Sequence, residues 1–307
     1  MSKHIPVLLQ EMTDALDVRA GGVFVDATYG GGGYTQSIFE ASDKAEVIGI
    51  DRDPDAQKRA ERHTGEKRFT FVRARFGDME DAVRPLAPEG VDGIVMDIGV
   101  SSFQIDIPER GFSFMSDGPL DMRMDPENGQ SAADIVNTME EGELADLFYI
   151  YGEERHSRRI ARAIVAQRPF ETTAQLAAAI SKSVPPSRDK AHPATRCFQA
   201  LRIVVNDELG ELERGLEAAQ KLLKVGGRLV VVTFHSLEDR IVKQFFATQS
   251  GRLPNTSRYL PDAANENAPT MKLIKSKPIT PGDDELRANP RARSAKLRAA
   301  IKIGDAA

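Results

Sequence analysis

Three acids stand where strand-like runs end, and each opens a stretch built of ligand-holding residue types. Asp26 begins DATYGGGGYT, Asp51 begins Asp-Arg-Asp-Pro, and Asp97 begins DIGVSS. Glycines between a strand and a helix let backbone approach a ligand and leave helix N–H groups pointing at it. The dinucleotide fingerprint asks for Gly-x-Gly-x-x-Gly/Ala, and a reading from Gly30 gives Gly30, Gly32 and then Thr35 in the third place. An acid at position 26 would also repel a pyrophosphate. A nucleoside with a cationic end and no phosphate, such as S-adenosylmethionine, suits that acid better. The plainer alternative is that Asp26 only caps the turn after it.

Asp51 lies 21 residues after Gly30, where a carboxylate can accept hydrogen bonds from both hydroxyls of a ribose. Asp53 reads as a helix cap beside Pro54. Phe76, beyond the third strand, offers a ring to stack on a base, or else an ordinary core residue. Asp97 and the following Ser101, Ser102 and Gln104 could orient an amine and accept its proton. His235 is another candidate acceptor, although SLED after it looks like a helix cap made by Ser236 and Asp239.

The elements that must carry these residues alternate. Strand-like runs at Val23–Ala27, Glu46–Asp51, Phe69–Arg73 and Val91–Asp97 are separated by helix-like stretches, the pattern of a parallel sheet wrapped by helices. Ligands bind such sheets at the carboxyl ends of the strands, so the acids should share one rim. From 108 to 205 the chain first turns repeatedly and then reads as helices only. Ser131, Thr138 and Thr172 look like caps, the last two in capping boxes with Glu141 and Gln175. A helix over 207–224 and a strand at Arg228–Phe234, after a two-glycine turn, resume the sheet. Residues 1–107 and 206–307 thus read as one discontinuous domain, with 108–205 as an inserted helical domain for substrate recognition. Segments 271–276 and 295–303 suit an antiparallel pair at the sheet edge, and 251–270 reads as a loop.

Composition narrows the chemistry. No apolar run in the 307 residues approaches the ~20 needed to cross a bilayer, and the acidic start lacks signal-peptide character, which points to a cytoplasmic protein. The single cysteine, Cys197, forbids an intrachain disulfide or a cysteine-built zinc cluster, and the five histidines have no metal-sharing spacing, so no metal is expected. The formal net charge of -5 argues against a polyanionic partner, but it is unevenly spread. From Glu153 to Asn206 ten Lys or Arg face four acids, and from Met271 to Ile303 nine face three. The second run includes Arg291 and Arg293 in NPRARS. Two such runs favour a nucleic acid.

Long strings make a resemblance specific. HIPVLLQE from His4, RGFSFMSDGPLDMRMD from Arg110, YGEER from Tyr151, HPATRCFQALRIVVN from His192, GGRLVVVTFHSLEDRIVK from Gly226 and NPRARSAKLR from Asn289 join the three acidic motifs. Over nearly its whole length the chain resembles the bacterial 16S ribosomal RNA cytosine-N4 methyltransferases, the RsmH or MraW family. The resemblance implies an α/β fold, a Rossmann-like class I methyltransferase sheet with an inserted small all-helical domain. It implies S-adenosylmethionine held by Gly32, Gly33, Tyr34, Asp51, Phe76, Asp97 and Gln104, joined by Asp26 from the residue reading. It implies as substrate a cytidine in the decoding region of 16S ribosomal RNA, within the small subunit or a late assembly intermediate. Arg110, Arg123, His192, Arg196 and Arg202 resemble family residues framing an RNA path. Tyr34 stands where many members have His, and Phe103 where many have Pro, which puts in doubt any step needing an imidazole at position 34. The proton acceptor stays open between Asp97, nearby hydroxyls such as Ser101, His235 and water. A nucleotide-dependent oxidoreductase and a non-catalytic assembly factor are the competing readings; the missing third glycine opposes the first, and the intact acids and glycines the second.

Overall fold

A computed structural model describes residues 6–185, 192–252 and 268–305. His4 and most of the 251–270 segment fall outside that range. By internal contacts the chain divides into two compact units, Met1–Gly99 with Leu209–Ala307, and Val100–Glu208.

The first unit is built on seven strands: β1 Gly22–Asp26, β2 Ala45–Asp51, β3 Phe69–Arg73, β4 Val91–Asp97, β5 Leu223–Thr233, β6 Met271–Leu273 and β7 Lys296–Lys302. Their spatial order is β3-β2-β1-β4-β5-β7-β6. The first five run parallel, and β7 pairs antiparallel with both β5 and β6. The helices of this unit are α1 Leu9–Leu16, α2 Gly33–Ala41, α3 Pro54–Ala60 and α4 Met79–Val83; then, after the second unit, α11 Glu208–Leu222, α12 Ser236–Gln249 and α13 Asp283–Ala288.

A parallel sheet covered on both faces needs apolar residues in succession rather than in alternation, and these strands supply them. Neighbours along a strand go to opposite faces. Val25, Ile48, Ile94 and Val231 join one core with Met79, Leu212, Leu216 and Val242, while Phe24, Val47, Val95, Val230 and Val232 join another with Met12, Leu16 and Ile38. The strand therefore has no polar face, and its polar residues collect at its ends. The two-glycine turn expected before β5 lies inside it. Pairing jumps from Val91 with Leu223 to Gly93 with Arg228, and Gly226, at φ 90°, takes up the irregularity.

The second unit holds α5 Ser102–Asp106, α6 Ala132–Thr138, α7 Glu141–Gly152, α8 Ser157–Val165, α9 Thr173–Ser183 and α10 Thr195–Asn206. Its core comprises Leu144, Leu147 and Phe148 of α7, Ile160 and Ile164 of α8, Leu176 and Ile180 of α9, and Cys197, Phe198 and Leu201 of α10. Ser131 and Thr172 cap their helices as expected, with Asp134 and Gln175 closing the boxes. Thr138 does not cap. It is the last residue of α6, its hydroxyl donates back to the Asp134 carbonyl at 2.7 Å, and Glu140 occupies the N-cap of α7. The capping-box spacing to Glu141 is thus incidental: α6 runs one turn further than the motif allows. Among the described residues no helix is long and apolar enough to cross a membrane.

Candidate functional site

Because β1 to β4 are parallel, Asp26, Asp51 and Asp97 close three strands on one rim of the sheet. Their surroundings differ. Asp26 is buried, and its Oδ2 accepts from the Thr35 amide at 3.2 Å and hydroxyl at 2.7 Å, tying β1 to the first turn of α2. Its Oδ1 is buried with no partner. Burial pushes the carboxyl up to about 6 against the pull of those hydrogen bonds, with the Asp51 charge adding to the rise. The capping role considered for Asp26 is therefore real, and one oxygen is left over. Asp51 accepts from the Gly30 amide at 2.7 Å and the Asp53 amide at 2.9 Å; burial raises its pKa and the two backbone donors lower it. Asp53 caps α3 through the Asp55 amide.

Asp97 has its backbone N–H on Thr28 Oγ1 at 2.7 Å, but its carboxylate Oδ1 is buried with no partner. Burial first, then the charges of Asp26 and Glu238, push this carboxyl up to about 8. Glu238 is a fourth acid that the sequence did not single out. It is fully buried, and its Oε2 accepts from the amides of Phe234 at 2.7 Å and His235 at 3.1 Å. The partner in this arrangement is His235, whose Nδ1 accepts from the Glu238 amide at 3.4 Å and whose Nε2 lies 2.8 Å from Glu238 Oε1. His235, not Ser236, is thus the N-cap of α12. Asp239, expected to close the cap, is drawn instead to Lys296 and Arg298, each at 2.8 Å. The spacing His-x-x-Glu was the readable signal for this box, and the neighbouring Ser-x-x-Asp masked it.

The glycine loop between β1 and α2 is shaped largely by protein contacts. A Cβ on Gly32, which has φ +68°, would fall 2.5 Å from the Tyr29 ring, and one on Gly33 would fall 2.1 Å from Pro6 Cγ. Two arginines of the following segment, also unforeseen, hold the loop from outside: Arg59 Nε donates to the Gly30 carbonyl at 2.8 Å, and Arg62 donates to the Gly32 carbonyl at 2.7 Å. Tyr34 is buried, and its hydroxyl donates to the Val7 carbonyl at 2.5 Å. Its phenol therefore fastens the N-terminal segment. Phe76 sits partly buried on the core, where the bare Gly215 makes room for its ring.

In the second unit Ser101 caps α5: its Oγ accepts from the Gln104 amide at 3.2 Å and Gln104 Oε1 accepts from the Ser101 amide at 3.0 Å. The Ser101 oxygen is thereby occupied as a cap. Three of the arginines expected on an RNA path serve the unit itself. Arg110 donates to the carbonyls of Arg123 and Met124, Arg123 pairs with Asp121 at 2.8 Å, and Arg202 pairs with Glu208 through two hydrogen bonds of 2.7 and 2.8 Å. Burial raises the Asp121 pKa, but Arg123 more than offsets that and holds it below the usual carboxylate range. His192 is exposed, lies 4.6 Å from the Phe114 ring and accepts from the Ala194 amide. Arg196 is exposed on α10, and Arg291 and Arg293 are exposed on the turn Pro290–Ser294 of the first unit.

A rim with several desolvated acids, two of them with an unpartnered buried oxygen, fits a positively charged ligand and opposes a phosphate-bearing one. That is the chemistry of S-adenosylmethionine, whose sulfonium and ammonium are cationic. Comparison with known proteins agrees. The chain is 54% identical over 303 residues to the ribosomal RNA small subunit methyltransferase H of Caulobacter vibrioides (strain NA1000 / CB15N), with 97% of this chain and 95% of that one aligned. It is 56% identical over 305 residues to the protein of that name from Paramagnetospirillum magneticum, again over 97% and 95%. A putative rRNA-methylase structure from Clostridium thermocellum covers 98% of this chain at 13% identity and a TM-score of 0.45, a likeness too slight to bear on the chemistry. The description "MraW methylase family" matches residues 1–303, and the chain belongs to that family, a methyltransferase whose cofactor is S-adenosylmethionine.

Proposed function

We propose that this protein methylates the exocyclic N4 amine of a cytidine in the decoding region of 16S ribosomal RNA, within the small subunit or a late assembly intermediate in the cytoplasm. The relatives' names support the ribosomal substrate, and one observation carries the chemistry: Asp97 Oδ1, buried and unpartnered at the end of β4. When bound, the cofactor supplies an electrophilic methyl on sulfonium sulfur.

A cytosine amine is planar, with its lone pair delocalised into the ring. The protein must hold that amine in line and accept a proton as the N–CH3 bond forms. Asp97 is suited to both tasks, because an acceptor without a partner is free to take an N–H. With its pKa near 8, the carboxyl is a far stronger base than an ordinary aspartate. A cation on the rim favours its ionised form. Asp51 is held by two backbone amides with its remaining lone pairs available to ribose hydroxyls, and Gly32, Gly33, Tyr34, Phe76, Gln104 and Asp26 complete the proposed cofactor set. Positioning supplies most of the acceleration. The base must be unpaired or flipped, since a paired and stacked amine cannot be reached. Residues 108–205 are assigned to substrate recognition, with His192 and Arg196 as exposed contacts and Arg110, Arg123 and Arg202 as supports, and Arg291 and Arg293 of the first unit are assigned as further RNA contacts.

The test is to incubate the protein with isotopically labelled cofactor and small subunits from a strain lacking the modification, then map the label by mass spectrometry of ribonuclease fragments. One methyl on cytidine N4 is expected. Label on another atom or base, or none under conditions that support a known methyltransferase, overturns the proposal.

A further inference from the structure

Besides Arg162, paired with Glu141, and the exposed Arg196, the described arginines of the second unit fall into two groups. Arg110, Arg123, Arg168 and Arg202 are consumed by carbonyls and carboxylates of the unit itself. Arg155, Arg158 and Arg159 are exposed, and among the described residues no hydrogen bond or ion pair engages them. These three converge on one cavity of about 340 Å³ at the corner between α7 and α8, lined also by Asp146, Tyr149, His156 and Ser157. That volume lies within the range of small-ligand pockets. Tyr149 is 64% exposed there, and Ile150 beside it 54%.

The corner is rigid for reasons internal to the unit. Glu153 adopts φ 51°, Glu154 is buried with its carboxylate accepting the His156 amide at 2.8 Å, and Ser157, Ile160, Ala161 and Ile164 face the core. Helical spacing then leaves Arg158 and Arg159 outward. A fixed backbone presenting unpaired guanidiniums beside a bare aromatic ring loses little entropy on binding. Guanidiniums pair with phosphates in a bidentate way, and an exposed ring stacks on a base whatever its identity.

We propose that this corner is a binding site for single-stranded RNA, with Arg155, Arg158 and Arg159 on successive phosphates and Tyr149 beneath a base. Asp146, the one carboxylate lining the cavity, accepts from a base amine. The site deepens the function proposed above and rests on RNA being the substrate; it assigns the contact to residues none of which belong to the RNA set expected from the sequence.

The test measures binding of the full-length protein to a fluorescein-labelled single-stranded segment of small-subunit ribosomal RNA by anisotropy across a salt series. With single-strand contacts each adding about 0.7 to the slope of log affinity against log salt, replacing all three arginines by Gln should lower the slope by about 2 and weaken binding about 100-fold at ~0.1 M salt. Tyr149→Ala should weaken it about 10-fold and relieve quenching of a 2-aminopurine base, while Tyr149→Phe retains both. S-adenosylmethionine binding by calorimetry should be unchanged in every variant, which separates lost contacts from lost folding. An unchanged salt slope in the triple variant overturns the proposal. So does a loss confined to binding of poly-glutamate, which would make the corner a site for an acidic protein. Wild-type protein that binds RNA through these residues yet leaves no methyl on cytidine N4 would refute the proposed reaction and leave this site standing.

Discussion

Asp51 and Asp97 end two strands of the same sheet, separated only by β1, yet they are held in opposite ways. Asp51 takes a backbone amide on each oxygen, whereas Asp97 has a buried oxygen with no donor near it. Leaving a buried acceptor unmet costs about 1–3 kcal/mol, and a fold keeps such a cost where it serves a purpose. The contrast fits the two jobs proposed for these acids. A carboxylate meant to hold a ligand still is itself held still by the chain. One meant to exchange a proton is kept short of donors, and its basicity rises accordingly.

The sharpest way to break this contrast is Asp97→Asn, which keeps shape and removes the acid. Single-turnover methyl transfer at saturating cofactor should fall about 10²- to 10⁴-fold, the usual scale for losing a proton acceptor, with a smaller loss of cofactor affinity because one carboxylate facing the cationic ligand is gone. Stability carries a second signature. A carboxyl at about 8 when folded and near its ordinary 3.8 when unfolded binds its proton more tightly in the native state. The stability it contributes is complete below about pH 4, declines as pH rises, and is gone above about pH 8. Urea titrations of wild type should therefore show a loss between those limits that Asp97→Asn lacks. Asp26, raised to about 6, declines over a narrower window in both proteins. Equal slopes for the two proteins would remove the basis for treating position 97 as special.

How far the sequence disclosed this rim depends on what kind of fact was sought. β4 falls where its apolar run puts it, because a strand buried on both faces has no choice of residue, whereas β3, at the sheet edge, is only half-buried and shows as a short Phe-Thr-Phe-Val run. Asp26, Asp51 and Asp97 were legible for the same reason, as the first polar residues after such runs. Glu238 was not, because its place beside Asp97 depends on β5 pairing with β4 across more than a hundred residues. Arg59 and Arg62 were missed as well, since nothing local says that a helix two elements on will grip the glycine loop. The RNA set failed differently. Long basic side chains were judged by their number along the chain, but only tertiary structure tells a guanidinium spent on a carbonyl from one left outside.

The glycine loop permits a test of intermediate size. If its bareness served the ligand alone, Gly33→Ala would lower cofactor affinity and leave the free protein's stability untouched. The structure puts the added methyl 2.1 Å from Pro6 Cγ, on a ring that cannot rotate away. The variant should therefore lose about 1–3 kcal/mol without cofactor, as overpacked positions do. Urea denaturation measures it, and a loss appearing only in cofactor binding would return the glycine to the ligand.

The smallest expected effect is the most discriminating for His235. Its Nδ1 is the acceptor that caps α12, so the ring is oriented by the helix. Asparagine is a strong N-cap and offers an oxygen near the same place. His235→Asn should keep stability within about 0.5 kcal/mol, since the cap is replaced rather than lost. It should also leave the pH dependence of methyl transfer unchanged if, as proposed, the ionisation that governs the rate belongs to Asp97. Loss of one limb of that profile, with stability intact, would transfer proton acceptance to the imidazole and reduce Asp97 to orienting the amine.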